Sequence, residues 1–448
     1  MIELNSKVLL FSLAVAVLTT FMCGLAPAFR SIRRNLQPKL TSGSKGTSAD
    51  FRHGKARAVL VIAEVALSVV LLVGAGLMMR TFLALTRVDL GFSPDRILAV
   101  RLPLPASSYK NANQKKQFFQ QVLQHLSTVP GVTAAAESLS TPPNAAGGSE
   151  ITIPGRTHSE KWSTALDLVS EGYFQTLSFR LLRGRLLGSS DIDTGRQVVV
   201  VNHAFVRKFF GGADPIGQRV KFNILEKISD APHDAYFEII GVVNDQKNDG
   251  LQNQPVPQVF LPYTLSGIGD RSLLVRAALD PSSLLPAIRH EIWAVDPSVA
   301  LTEAGSLRSF LQRDTFANPR FELVTLAAFA AIGLGLAVIG IFSVMAYTVS
   351  LRTHEIGIRM ALGAQQSDVL RMVLNKGAAL IGAGIILGAL ASFGLTRYLA
   401  NQVWGISVAD PWTYIAVVAC VVAVGLTASF FPARRASRVD PIVALRYE

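Results

Sequence analysis

Cysteine is nearly missing from this chain of 448 residues: there are 2, Cys23 and Cys420, each inside or at the end of an apolar run. That excludes a disulfide framework and a zinc site of the Cys-x-x-Cys kind. Charge is sparse too, at 17% of residues against 50% hydrophobic. Such a balance is too apolar for an ordinary soluble chain and too charged for one lying wholly in a membrane. A membrane protein with a large water-facing part follows. The opening Met1-Ile2-Glu3-Leu4-Asn5-Ser6-Lys7 lacks the charged lead and small-residue cleavage site of a signal peptide, so the run from Val8 to Leu25 reads as a retained span.

Signatures of chemistry are missing as well. Gly54-Lys55-Ala56 lacks both the upstream Gly and the following Ser or Thr of a phosphate loop, and Ser42-Gly43-Ser44-Lys45-Gly46-Thr47 has its Lys before the Gly. Nothing here assigns ATP hydrolysis to the chain itself. The histidines, at 53, 125, 158, 203, 233, 290 and 354, never recur at the spacing of a helical zinc pair. His233-Asp234 and His290-Glu291 read as solvated surface. Without a Gly-x-Ser-x-Gly elbow, nucleophilic hydrolysis has no support either. The expectation is no catalytic residue, no cofactor and no metal. The formal charge of +12 comes from Lys and Arg clustered beside apolar runs rather than interleaved with aromatics. These read as interface anchors touching anionic lipid, and nucleic acid is excluded as a partner.

What is present is hydrophobic length. Crossing a ~30 Å hydrocarbon core takes about 20 apolar residues, and five runs qualify, at about 8–26, 58–79, 322–349, 375–399 and 412–432. The connection from Phe29 to Arg57 carries eight Lys or Arg against the single acid Asp50, and the tail carries Arg434, Arg435, Arg438 and Arg446. Asn401 to Trp412 has no Lys or Arg. Five spans with the N-terminus outside and the C-terminus in the cytoplasm satisfy this pattern. The predicted partition is a first helix at 1–28, a basic cytoplasmic linker at 29–57, a second helix at 58–80, an extracytoplasmic domain at 81–320, three helices within 321–433 with a cytoplasmic loop at 350–375, and a tail at 434–448.

Residues 81–320 mix two periods. Lys115 to Thr128 places Phe118, Phe119, Val122, Leu123 and Leu126 on one helical face, while Gln197 to Val201 and Phe237 to Val243 read as strands. Pro130-Gly131, Pro142-Pro143 and Gly147-Gly148 punctuate them as loops. A mixed α/β domain of one or two lobes is predicted.

Two features inside the membrane part stand out. Glu64 is an acid within the second span, about seven residues and hence roughly 10 Å from Arg57. It either anchors the helix by snorkelling or by pairing with Arg57 or Lys55, or it has a coupling role. Further along, Val73-Gly74-Ala75-Gly76-Leu77 offers small residues for close helix packing. In the loop, Arg352-Thr353-His354-Glu355-Ile356-Gly357-Ile358-Arg359-Met360-Ala361-Leu362-Gly363-Ala364 puts Ile356, Met360 and Gly363 on one helical side and the Glu355/Arg359 pair on another. Gly363 is placed to end this short helix and Ser367 to cap the next. Such an element either lies on lipid or serves as the handle by which a partner moves the membrane helices.

The chain also ends twice. Pro432-Ala433-Arg434-Arg435 closes the last apolar run, and Pro27-Ala28-Phe29-Arg30 closes the first with Ala and Arg at matching steps. Either this is a common form of membrane exit, or the first span finishes a preceding repeated unit.

The string Glu355 to Ala364, the closing Pro432 to Ala436 and Asp440-Pro441-Ile442-Val443-Ala444-Leu445-Arg446 resemble the permease domain of the MacB/FtsX family. Glu64-Val65-Ala66-Leu67 resembles the first helix of that unit, and Gly172-Tyr173-Phe174 with Ala213-Asp214-Pro215-Ile216-Gly217 resemble its outer domain. The resemblance covers about residues 57–448 and implies an α-helical transmembrane bundle in which four of the five spans form one FtsX-like unit, with a large mixed α/β extracytoplasmic domain inserted after the second span. The extra first span then resembles the end of a preceding unit in a duplicated permease. Also implied are a bacterial inner-membrane location, a second permease unit and a separate cytoplasmic ABC ATPase that grips the inner loop through Glu355, Ile356, Ile358, Arg359 and Met360. The implied function is movement transmitted to the outer domain for export of peptides, lipoproteins or hydrophobic compounds. The alternative, as in FtsX-type relatives, is control of an extracytoplasmic partner such as a cell-wall hydrolase.

Overall fold

The computed structural model describes residues 9–14, 16–17, 20–21, 48–105, 107–156, 160–228, 230–267, 270–398 and 410–438. About half of the expected first span, its Pro27-Ala28-Phe29-Arg30 exit, most of the basic linker and the segment Asp440 to Arg446 lie outside these residues. Among the described residues four helices are long and apolar enough to cross a membrane, and they match the second to fifth expected spans. The chain divides into Met1–Leu60 and Val61–Glu448, and the packing that follows belongs to the second unit.

In chain order the principal helices are α1 (Ser48–Thr86), α2 (Ala112–Ser127), α3 (His203–Phe210), α4 (Leu285–Val295), α5 (Ala317–Leu351), α6 (Thr353–Ala361), α7 (Gln366–Tyr398) and α8 (Pro411–Ala436). Helix is the form an apolar run takes in lipid, because each backbone N–H and C=O is satisfied within the segment. On α1 one valine or leucine per turn is buried, at Val61, Val65, Val69, Val73 and Leu77. This stripe meets Ala337, Ile341 and Met345 of α5, Val373 and Ile381 of α7, and Val417 and Val421 of α8 in one apolar core. Small residues set the spacing. A Cβ on Gly388 of α7 would lie 2.7 Å from both the Ala66 carbonyl oxygen and the Val69 Cβ, and one on Gly384 would lie 2.6 Å from Val65. The expected close packing at Gly74 and Gly76 is also present, against Leu326 and Thr413.

Between α1 and α5 the chain forms 11 strands: β1 (Ile97–Leu102), β2 (Val132–Ser138), β3 (Gly147–Thr152), β4 (Ser163–Val169), β5 (Leu181–Gly184), β6 (Val198–Asn202), β7 (Arg219–Phe222), β8 (Phe237–Val243), β9 (Gln258–Pro262), β10 (Arg271–Ala277) and β11 (Thr302–Ser306). They pair as two lobes. An antiparallel arm runs β11-β1-β10-β2, with Phe118, Phe119, Val122 and Leu126 of α2 and Ile288 and Ile292 of α4 contributing to the core. Six others close into a ring, β4-β3-β7-β8-β6-β9 and back to β4, with β5 paired antiparallel to β8 outside it and parallel pairing only at β6/β8 and β4/β9 among the described residues. Strand β6 is buried at every position, as a run of four valines requires. The predicted helix at Lys115 to Thr128 and both predicted strands occupy these places, so the mixed α/β reading of the outer domain stands.

Arm and ring share little ladder. The arm strand β2 pairs with the ring strand β4 at one residue pair, Ser138 with Val169.

Candidate functional site

Helix α6 is short because both its ends are fixed by local chemistry. It follows α5 after Arg352 and stops where Gly363 turns to φ +96°. The Gly363 N–H donates to the Met360 carbonyl at 3.1 Å and the Ala364 N–H to the Arg359 carbonyl at 3.0 Å, the paired bonds by which a left-handed glycine closes a helix. The expected Ser367 cap is replaced: Asp368 Oδ2 accepts from the Gln365 N–H at 3.1 Å and starts α7, while Ser367 turns to Gln365 Oε1. A carboxylate is the stronger acceptor there and complements the helix dipole.

The two faces of α6 do different things. Ile356 is 1% exposed and packs with Met345, Val369 and Val373 beneath the bundle, and Met360 lies partly against the same core. Ile356, one of the expected contact residues, is thus placed on the inner face of α6, where it fixes this helix to α5 and α7. On the other side Glu355 bonds Arg359 at 2.6 Å and lies 3.9 Å from Arg352, with the two arginines and the acid about half exposed. Arg359 also reaches Met372 Sδ at 3.2 Å. Ile358 is 41% exposed and Leu362 82% exposed, one turn apart on the same side. Leu362 is an outward apolar side chain that sequence reasoning missed. The signal was its place four residues after Ile358.

Glu64 faces the neighbouring helix. Its Oε2 is buried without a hydrogen-bond partner among the described residues and presses on Gly340 of α5, where the missing side chain leaves it room.

At the opposite end of the bundle, Arg80 of α1 pairs with Asp410, whose Oδ2 caps α8 by accepting from the Thr413 N–H at 2.9 Å and Oγ1 at 2.6 Å. Phe82 meets Phe316 edge to face at 6.2 Å just before α5 begins. The chain leaving α1 is then held to the ring lobe: Asn244 Nδ2 donates to the Gly91 carbonyl at 2.6 Å and the Lys247 N–H to the Leu90 carbonyl at 3.0 Å.

The seam between arm and ring holds a cluster that the sequence did not reveal. Glu137 of β2 and Asp167 of β4 are fully buried, and Arg271 of β10 is 2% exposed. Arg271 Nη1 lies 2.9 Å from Glu137 Oε1 as an ion pair poorly aligned for a hydrogen bond, while its Nη2 donates to the Ser266 carbonyl at 2.7 Å. Asp167 accepts from Ser140 Oγ and, at 2.9 Å, from the Leu168 N–H. Burial pushes Glu137 up to about 7 against the pull of Arg271. It pushes Asp167 up to about 7 against its hydrogen bonds.

Comparison with known proteins follows the same division. Residues 38–295 match the family model of the MacB-like periplasmic core domain, and residues 327–441 match that of the FtsX-like permease C-terminal region. The pyoverdine export ATP-binding/permease protein PvdT of Pseudomonas aeruginosa is 29% identical over 286 residues, which cover 60% of this chain and 40% of that protein. The macrolide export ATP-binding/permease protein MacB of Acinetobacter baylyi is 28% identical over 338 residues, 71% of this chain and 48% of its own length. MacB of Hahella chejuensis is 32% identical over 294 residues, 63% and 43% respectively. The chain thus spans less than half the length of these relatives. The periplasmic region of MacB from Actinobacillus actinomycetemcomitans aligns with a TM-score of 0.34 at 16% identity, covering 50% of this chain and 94% of that one. With its outer domain and its last three membrane helices both matched, and the first match alone covering more than half of its residues, the chain belongs to the MacB/FtsX-like family of ABC transporter permeases.

Proposed function

We propose that this chain is the permease part of a MacB-like exporter, in which a separate cytoplasmic ATPase pushes on α6 and the bundle carries the movement to the outer domain. The observation that carries this reading is the division of α6 into a buried face at Ile356 and an outward face at Glu355, Ile358, Arg359 and Leu362. A short helix anchored on one side and exposed with mixed apolar and charged groups on the other has the makings of a lever. An exposed ion pair contributes only about 0.3–0.5 kcal/mol to a helix, so its removal tests contact rather than folding. The relatives' names, export of pyoverdine and of macrolides, support export, with peptides, lipoproteins or hydrophobic compounds as the proposed cargo. A second permease unit completes the assembly, since one unit supplies four described spans.

Co-purification of the tagged full chain tests this reading. An ABC ATPase is expected to elute with the wild type, and Glu355→Ala/Arg359→Ala or Leu362→Glu are expected to weaken that association about tenfold with no change in melting temperature. Recovery of cell-wall enzymes with no ATPase would sink export and favour the FtsX-type regulatory role.

A further inference from the structure

The surface of the bundle carries an apolar cleft whose lining includes no residue of α6. It lies between α5 and α8, encloses about 560 Å³ and is lined by Val338, Ile339, Phe342, Thr427, Ala428 and Phe431, among others. Sites for small molecules enclose about 300–1,000 Å³. Ala428 forms part of its buried floor, while Phe342 and Phe431 stand exposed at its rim. Among the described residues Thr427 is the only polar one in the lining, and its Oγ1 donates to the Ala423 carbonyl at 2.7 Å. With that proton already donated, the described lining offers a ligand one hydroxyl oxygen as acceptor and otherwise only apolar surface, which suits a hydrocarbon occupant.

What lies at the end of the cleft narrows the choice. Along α8, Val424, Thr427, Ala428, Phe431, Arg434 and Arg435 recur at three- and four-residue steps, which makes one continuous stripe. The hydrocarbon wall therefore runs onto two exposed guanidinium groups in the last turn of the helix. Only a molecule with an apolar tail and an anionic head matches both parts. A helix from a second copy would fill the cleft and leave the arginines unmatched. Basic groups at the end of membrane helices hold anionic lipid heads by charge.

We propose that the α5–α8 cleft binds one anionic phospholipid from the leaflet in which α8 ends, with an acyl chain between Phe342 and Phe431 and the phosphate on Arg434 and Arg435.

The test uses the full chain, purified in detergent, stripped of lipid and supplied with phosphatidylglycerol or phosphatidylcholine of identical acyl chains. Bound lipid is counted by native mass spectrometry. Phosphatidylglycerol is expected to be retained in preference, and Arg434→Ser and Arg435→Ser are each expected to weaken it about fivefold while leaving phosphatidylcholine unchanged. Thr427→Trp, or Ala423→Phe should that variant not accumulate, fills the cleft and is expected to abolish the preferential retention. Ile332→Trp, at an exposed position of α5 outside the cleft lining, is expected to retain lipid as the wild type does. Equal retention of the two lipids overturns the proposal, and so does retention indifferent to the filled cleft. A filled cleft that leaves the lipid count unchanged but dissociates paired copies would assign the groove to a second chain and overturn it as well.

Discussion

Glu137, Asp167 and Arg271 place two acids and one base in a core where each is at most 2% exposed. Full ionisation would leave an unbalanced negative charge in a medium that solvates it poorly. Both carboxyls are accordingly raised to about 7. Between the ordinary carboxyl range near ~4 and that value, the folded state binds more protons than the unfolded one. Stability therefore falls as pH rises through this window, and the loss is complete above it. Hydrogen exchange on the full chain should show β2, β4 and β10 less protected at high pH than the intrinsic rates explain, and Glu137→Gln should flatten that dependence. Arg271→Ala strips the pair of its cation and should cost about 3–5 kcal/mol in denaturant unfolding. None of this was legible beforehand: Glu137 follows three alanines and Arg271 precedes Ser-Leu-Leu-Val, which reads equally well as an outward residue in an alternating strand. Only the meeting of β2, β4 and β10 turns these side chains inward toward one another.

At the scale of elements, α6 shows how far periodicity reaches. Spacing alone placed Glu355 with Arg359 and ended the helix at Gly363, because both depend on neighbours within one turn. Assigning its faces required α5 and α7, which claim Ile356 and leave Ile358 and Leu362 outward. The same holds for α7. Its glycines look alike in sequence, yet Gly388 meets the α1 backbone and Gly382 has nothing within 4 Å. Gly388→Ala should lower stability by about 1–3 kcal/mol through forced separation of α1 from α7. Gly382→Ala should be neutral or gain up to ~1 kcal/mol of helix propensity. Thermal melting of both variants in detergent checks the pair, and equal shifts would refute the close-contact argument.

For the whole molecule, the bundle joins α6 at one end to two attachments at the other. Arg80 ties the domain end of α1 to the cap of α8, and Leu90 and Gly91 bind the following chain to the ring lobe. Arg80→Ala should raise hydrogen exchange in the first turn of α8 and leave α6 unchanged. Asp410→Ala should raise it further, since it also removes an N-cap worth about 0.5–2 kcal/mol. The four described spans, the inserted domain and the short helix α6 were determined by the sequence itself, because apolar length, local period and helix-ending residues act through near neighbours and the solvent. The closed ring of β4, β3, β7, β8, β6 and β9, the buried charges at its seam, the notch at Gly340 that receives Glu64 and the cleft between α5 and α8 were decided only by the tertiary structure. Each is made by segments far apart in the chain, and their contact depends on packing that no local pattern encodes.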